Sequence, residues 1–335
     1  MENKKVLLEA RHLVKEFPIG GTKKKPQLVH AVSDVNLDIY EGETLALVGE
    51  SGCGKSVTSL SVMGLLSRGG TVDEGEVLFE GKNLLGMSEK ELDEIRGNRI
   101  SMIFQDPLTS LNPVFTVGNQ ITESIRIHLK LSREEARERA EQILAKVGMP
   151  EPKEAMRKYP HTLSGGMRQR VMIAMALCCE PALLIADEPT TALDVTIQAQ
   201  IMSLLKSLKQ ELGMSIILIT HDIGLVAAMA DRVMVMYAGQ IIEEAPVKDL
   251  FRNPVHPYTK ALLATVPSIY DGAERQLESI PGLVPENYDR IPGCRFAERC
   301  RYCRPECSSH QENSRVDGSH QVRCCRWKEI KEAEA

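Results

Sequence analysis

Along this 335-residue chain the hydrophobic and polar positions change period in an ordered way. Residues 1–48 alternate short apolar runs with turn residues and predict strands. Pro18–Gln27, with Gly-Gly and three lysines, breaks that pattern and predicts an exposed hairpin or loop. Thr44–Val48 is continuously apolar, as expected of a strand buried in a parallel sheet. After a Gly-rich turn, Lys55–Leu66 predicts a helix, and Ile100–Phe104 reads as a strand. Ser132–Val147 predicts a charged helix opened by a Ser132…Glu135 capping box. Two more buried strands, Ala182–Ala186 and Ser215–Thr220, flank a helix near Thr196–Leu212. Strand, helix and strand in alternation imply an α/β fold with a parallel sheet and right-handed crossovers. From Asp271 onward Pro, Gly, Arg and Cys follow no period, which places a domain boundary near residue 270.

Hydrophobic residues make up 43% and charged residues 26%, the composition of a folded protein. The 41 Lys and Arg against 46 Asp and Glu leave a net charge of −5. That balance argues against a protein whose main task is coating nucleic acid, because phosphate neutralisation needs excess positive charge. The longest uninterrupted apolar run, Val171–Cys179, is nine residues, against the roughly 20 of a transmembrane helix. No apolar signal core follows the first lysines, so a cytosolic address is expected, where thiols stay reduced. Six of the nine cysteines fall after residue 293 and are expected to act as ligands rather than disulfide partners.

Gly49-Glu50-Ser51-Gly52-Cys53-Gly54-Lys55-Ser56 fits G-x-x-x-x-G-K-[ST] between a predicted strand and a predicted helix. Small residues let this loop curl so that backbone N–H groups and the helix N-terminus surround phosphate oxygens. Lys55 then reaches the β- and γ-phosphates and the Ser56 hydroxyl ligates Mg²⁺. Cys53 fills a small-residue position. Asp187-Glu188 end an apolar run, where an acid points into the crevice at the carboxyl end of parallel strands. In isolation such a pair reads as an acidic helix start. With the phosphate loop upstream, Asp187 is assigned to Mg²⁺ and Glu188 to the general base that polarises water.

Leu163-Ser164-Gly165-Gly166-Met167-Arg168-Gln169-Arg170 opens a helix and creates a second anion-binding N-terminus, with Ser164 as a hydroxyl donor. With Asp187 following Ser164 by 23 residues, this set resembles the signature of the ABC-type ATPases. Gln105 matches that family's Q-loop, Ala192-Leu193-Asp194 its D-loop, and His221 its switch histidine. The resemblance covers about residues 6–265. It implies a P-loop NTPase with an antiparallel β subdomain, a helical subdomain near 88–178 and an ATPase domain over 1–270. ATP and Mg²⁺ are the implied ligands, with Gln105 touching metal and water and linking them to membrane subunits. Two subunits would face head to tail, with Ser164, Gly165 and Gly166 at the partner's γ-phosphate and Asp194 at the dimer interface. His221 would contact the γ-phosphate held in this chain, and Phe17 would stack on adenine.

Gln105–Pro113, Tyr159-Pro160-His161 and Asn253–Thr259 resemble the ATP-binding subunits of oligopeptide and dipeptide importers, and Met167–Asp194 resembles their D-type subunit. That implies a peripheral protein at the cytoplasmic face of the membrane, with a second ATP-binding subunit, two transmembrane permease subunits and an extracytoplasmic solute-binding protein. A heterodimer is favoured by the resemblance, although both halves of a composite site look intact. The alternatives are an importer ATPase for nickel or oligosaccharide, or a soluble ABC ATPase of DNA repair or translation. In residues 271–335, Cys294, Cys300, Cys307 and Cys324 are spaced like the C-terminal region of peptide-importer ATPases, some of which hold a [4Fe–4S] cluster. Cys303 is extra to that spacing and Cys325 competes with Cys324. A structural zinc and unliganded thiols are the rival readings. Cys178-Cys179 reads as buried helix face.

Overall fold

A computed structural model describes residues 5–22, 25–66, 71–106, 110–191, 193–265, 280–285, 288–309 and 311–334. The boundary expected near residue 270 lies outside the described residues. The strands are β1 (Val6–Thr22), β2 (Lys25–Tyr40), β3 (Thr44–Val48), β4 (Glu74–Phe79), β5 (Lys82–Asn83), β6 (Ile100–Ile103), β7 (Leu183–Asp187), β8 (Ser215–Ile219), β9 (Arg232–Tyr237), β10 (Gln240–Pro246), β11 (Ser314–Asp317) and β12 (His320–Val322). The chain forms two compact units that interleave along the sequence. One comprises Met1–Leu7, Ile39–Glu43 and Gly86–Leu218; the other comprises Leu8–Asp38, Thr44–Leu85 and Ile219–Ala335.

In the first unit the strand order is β8-β7-β6, with β6 parallel to β7 from Ile100↔Leu183 to Ile103↔Ala186. Every residue of β7 is buried, which is why its sequence is apolar up to the terminal acid. Helices Val117–Leu129, Arg133–Lys146 and Gly165–Leu177 make up most of the rest between β6 and β7. The Arg133–Lys146 helix opens as its sequence predicts: Glu135 N–H donates to Ser132 Oγ (3.3 Å), and Ser132 N–H donates to the Glu135 carboxylate (2.9 Å). Its buried residues Ala136, Ala140, Ile143 and Leu144 fall on one stripe at helical spacing. Cys178 and Cys179 are buried immediately beyond the Gly165–Leu177 helix.

In the second unit a four-stranded sheet runs β2-β1-β4-β5, with β1 antiparallel to β4. Of the hairpin or loop expected at Pro18–Gln27, the strands take the hairpin form: β1 continues to Thr22 and β2, its neighbour in the sheet, begins at Lys25. A second set of strands runs β11-β12-β10-β9-β3, with β3 parallel to β9 and the other pairs antiparallel. The C-terminal region, aperiodic in sequence, thus contains regular strands. Its hairpin β11–β12 extends the strand set through Glu243↔Val322 and Glu244↔Gln321. Tyr288 and Phe296 share one core with Val48, Val235, Tyr237 and Tyr258, and Val322, Cys324 and Ile330 pack with Val255.

Candidate functional site

The phosphate loop joins β3 to the helix Lys55–Met63. Two of its glycines are demanded by space as well as conformation. A Cβ on Gly49 (φ 153°) would lie 2.2 Å from the Met236 carbonyl oxygen, and one on Gly54 (φ 108°) 2.2 Å from the Ala31 carbonyl oxygen. Gly52 (φ 79°) and Ser51 face open space. Lys55 is buried and its Nζ donates to the carbonyls of Gly49 (2.8 Å) and Glu50 (3.0 Å), so the ammonium is held within the curl of the loop. Cys53 is fully buried, which raises its thiol pKa and agrees with a space-filling role. Ser56 is half-buried in the first turn of the helix. A tight curl, a cation at its centre and a helix N-terminus fit a nucleotide's phosphates and a hydroxyl ligand for Mg²⁺. In the same unit His221 is exposed directly after β8, ahead of a helix capped by Asp222 (Asp222 Oδ1 accepts from Gly224 N–H at 2.8 Å). Phe17 is half-buried in β1 with the Lys15 ammonium 5.1 Å from its ring centre.

The other unit gathers the acids and the signature. Asp187 is buried at the end of β7. Glu188 follows with φ 47°, a left-handed conformation that turns the chain sharply out of the strand. Its Oε2 accepts from Gln105 Nε2 (3.0 Å) and from Thr191 Oγ1 (2.8 Å). Gln105 and Glu188, 83 residues apart, are thus brought together, and Thr191 joins them without having been foreseen. Ser164 caps the Gly165–Leu177 helix by accepting from Met167 N–H (3.4 Å). Asp194 caps the Val195–Leu212 helix by accepting from Ile197 N–H (2.9 Å). A Cβ on Gly166 would lie 3.0 Å from Ile197 Cγ2, so the two helix starts are neighbours. Ala192 lies outside the described residues.

Residues 32–191 match the ABC transporter family. The Oligopeptide transport ATP-binding protein AppD of Bacillus subtilis is 52% identical over 325 residues, 96% of this chain and 97% of its own. The chain belongs to the ABC transporter ATP-binding proteins. A second relative, the Dipeptide transport ATP-binding protein DppD of Bacillus subtilis, is 52% identical over 318 residues, covering 94% of this chain and 92% of its own. Residues 242–307 of this ABC protein match the oligopeptide/dipeptide transporter C-terminal region. Among solved structures, the dimeric bacterial ABC transporter cassette MJ0796 superimposes with a TM-score of 0.64 at 31% identity, over 72% of this chain and 98% of that one.

In the C-terminal region of this ABC protein, Cys294, Cys300, Cys307, Cys324 and Cys325 line one small pocket together with His256, Phe296 and Tyr302. Burial, with the other thiols adding, pushes Cys294 and Cys324 up to about 12. Among the described residues no group of three or more His, Cys, Asp or Glu side chains converges as an ion site, so the expected zinc or cluster centre does not stand as a formed ligand set. His256 is buried, and burial lowers its pKa to about 4 against the opposing pull of Glu243. The ring is therefore neutral. Its Nδ1 accepts from Tyr258 N–H (3.0 Å), which puts the proton on Nε2. That Nε2–H is buried without a hydrogen-bond partner among the described residues, and an orphaned buried donor suits an anionic sulfur. Cys303 is exposed and does not line the pocket.

Sequence reasoning missed the links around Glu50. Arg299 grips its carboxylate with both terminal nitrogens (2.8 and 3.0 Å), and the Tyr258 hydroxyl accepts from Glu50 N–H (2.9 Å). Separations of 249 and 208 residues leave no local signal for either. It also missed Glu243, which is buried and accepts from Val255 N–H (2.7 Å), His256 N–H (2.8 Å) and His320 Nε2 (2.8 Å).

Proposed function

We propose that this chain is the ATP-hydrolysing subunit of a peptide importer, working as one of a pair of ATP-binding subunits docked on two transmembrane permease subunits at the cytoplasmic face. The observation that carries the peptide assignment is the near-full-length similarity to oligopeptide and dipeptide transport ATP-binding proteins, C-terminal region included. Among the described residues no helix is long and apolar enough to cross a membrane, and in this reading the permease subunits supply the path for solute. In this reading residues 1–270 are the ATPase domain, and a solute-binding protein delivers the peptide to the permease pair.

The loop N–H groups and Lys55 hold the phosphates of ATP. Ser56 and Asp187 are the residues that would hold Mg²⁺, which supplies charge neutralisation at the phosphoryl oxygens. Glu188, oriented by Gln105 and Thr191, accepts a proton from water as general base. His221 serves the γ-phosphate, Ser164, Gly165 and Gly166 serve the nucleotide of the facing subunit, Asp194 lies at that interface, and Phe17 stacks on adenine. ATP-dependent peptide uptake by the reconstituted complex tests the whole. Uptake of nickel or oligosaccharide with no peptide transport would overturn the substrate assignment.

In this reading the thiols of Cys294, Cys300, Cys307 and Cys324 would hold a [4Fe–4S] cluster, and the unpartnered His256 Nε2–H would be a donor available to it. Anaerobically purified protein should be brown, with visible absorption that bleaches on reduction. Colourless protein carrying stoichiometric zinc refutes the cluster.

A further inference from the structure

An acidic side chain in a loop that holds polyphosphate is an electrostatic liability, because a free carboxylate there repels the ligand. Glu50 is such a residue, and a cation from the C-terminal region neutralises it. All five N–H donors of Arg299 are engaged. Nη1 donates to Glu50 Oε2 (2.8 Å) and to the Tyr237 hydroxyl (3.3 Å), Nη2 to Glu50 Oε1 (3.0 Å) and the Gly282 carbonyl (3.2 Å), and Nε to the Pro281 carbonyl (2.8 Å). The Arg299 side chain is only 5% exposed. Its guanidinium lies 5.7 Å from the Tyr237 ring centre and 5.9 Å from that of Phe296. Tyr258 packs on both rings, at 4.7 and 5.3 Å between centroids, while its hydroxyl accepts the Glu50 N–H. The acid is therefore clamped at its backbone and at its carboxylate from one aromatic platform.

We propose that Arg299 is a positioning residue for nucleotide binding: it pairs the Glu50 carboxylate and holds it away from the phosphates, so that the C-terminal region sets the electrostatics and shape of the phosphate loop. This rests on the reading of that loop as the ATP site. A planar fork explains why the residue is Arg, since the compact ammonium of Lys cannot make both carboxylate bonds and reach the two carbonyls. Arg299 lies in the short turn Ala297–Arg299 directly before Cys300, so the packing of the thiol pocket also aims the fork.

The test is equilibrium binding of Mg-ATP to the purified full chain, with a thermal melt confirming that each variant folds. Arg299→Ala should weaken binding about tenfold or more, the cost of removing a charged partner from a bidentate pair. Glu50→Gln in the Arg299→Ala background should recover much of that loss, because the liability is the uncompensated charge. A purely structural role for Arg299 would give no such rescue. Wild-type affinity in Arg299→Ala, or a double variant as weak as the single, overturns the proposal. If Arg299→Ala does not fold, Arg299→Gln with and without Glu50→Gln replaces it, and wild-type affinity in Arg299→Gln overturns the proposal equally. Lys55→Ala separates the two readings. It should abolish ATP binding; wild-type affinity in that variant sinks the loop assignment itself, with Arg299 aside.

Discussion

Replacing Glu188 with Gln isolates the chemistry of one proton. In the native chain a single carboxylate oxygen takes both hydrogen bonds, from Gln105 Nε2 at 3.0 Å and Thr191 Oγ1 at 2.8 Å. The amide oxygen of Gln can accept both, so the side chain keeps its place. The φ of 47° imposes the same backbone cost on either residue. What disappears is the capacity to take a proton from water. Positioned general bases contribute about 10²–10⁴ in rate, so the variant should hydrolyse ATP that much more slowly, a barrier increase of roughly 3–5 kcal/mol. Single-turnover hydrolysis measures the chemical step, and equilibrium titration of Mg-ATP measures binding, which should match wild type. Thr191→Val calibrates the positioning by Thr191: losing one hydrogen bond to the carboxylate should cost about 1.5–3 kcal/mol in the same assay. Full turnover by Glu188→Gln would remove Glu188 from the role of base, and lost binding would show that the substitution had moved the site.

Three further outcomes are expected. Gly54→Ala must displace the loop from the Ala31 carbonyl and adopt a positive φ, so it should cost about 1–3 kcal/mol in unfolding and abolish nucleotide binding by titration. Ser164→Ala leaves the Met167 N–H uncapped and should lower stability by about 1 kcal/mol in denaturant melts, with nucleotide-driven dimer formation weakened as well. Burial raises the Asp73 pKa, but the Glu16 N–H (2.7 Å) and the Lys15 ammonium (2.9 Å) outweigh it and hold the carboxyl below its ordinary value. A depressed folded pKa contributes stability above the unfolded value near 3.9 and loses it as pH falls through the folded one. Wild-type protein should therefore lose more stability than Asp73→Asn when melts are compared from neutral pH to below that range.

Each pattern read as nucleotide chemistry was legible because its residues are neighbours along the chain. A phosphate loop needs its glycines, Lys55 and Ser56 at fixed spacing on one strand–helix turn, and Asp187-Glu188 must follow a buried strand. The Ser132…Glu135 capping box and the apolar strands β3, β7 and β8 were legible for the same local reason. Strands β11 and β12 were not, since Ser314–Asp317 and His320–Val322 are too short and polar to show a period, and β12 pairs with β10 through Glu243↔Val322 and Glu244↔Gln321, residues far apart in sequence. Glu243 reads as a surface acid in a strand of mixed polarity. It is buried only because two backbone N–H groups and an imidazole from other segments satisfy it.

The fold family, the phosphate loop, the acid pair, the signature and the crowding of cysteines at one end were readable along the chain, because each is a pattern of neighbouring residues. Tertiary structure alone decided that Gln105 and Thr191 hold Glu188, that the cysteine-rich end completes a strand set of the ATPase, and that Arg299 neutralises an acid in the phosphate loop. Such pairings depend on which distant groups folding brings within about 3 Å, a distance that no spacing along the chain encodes.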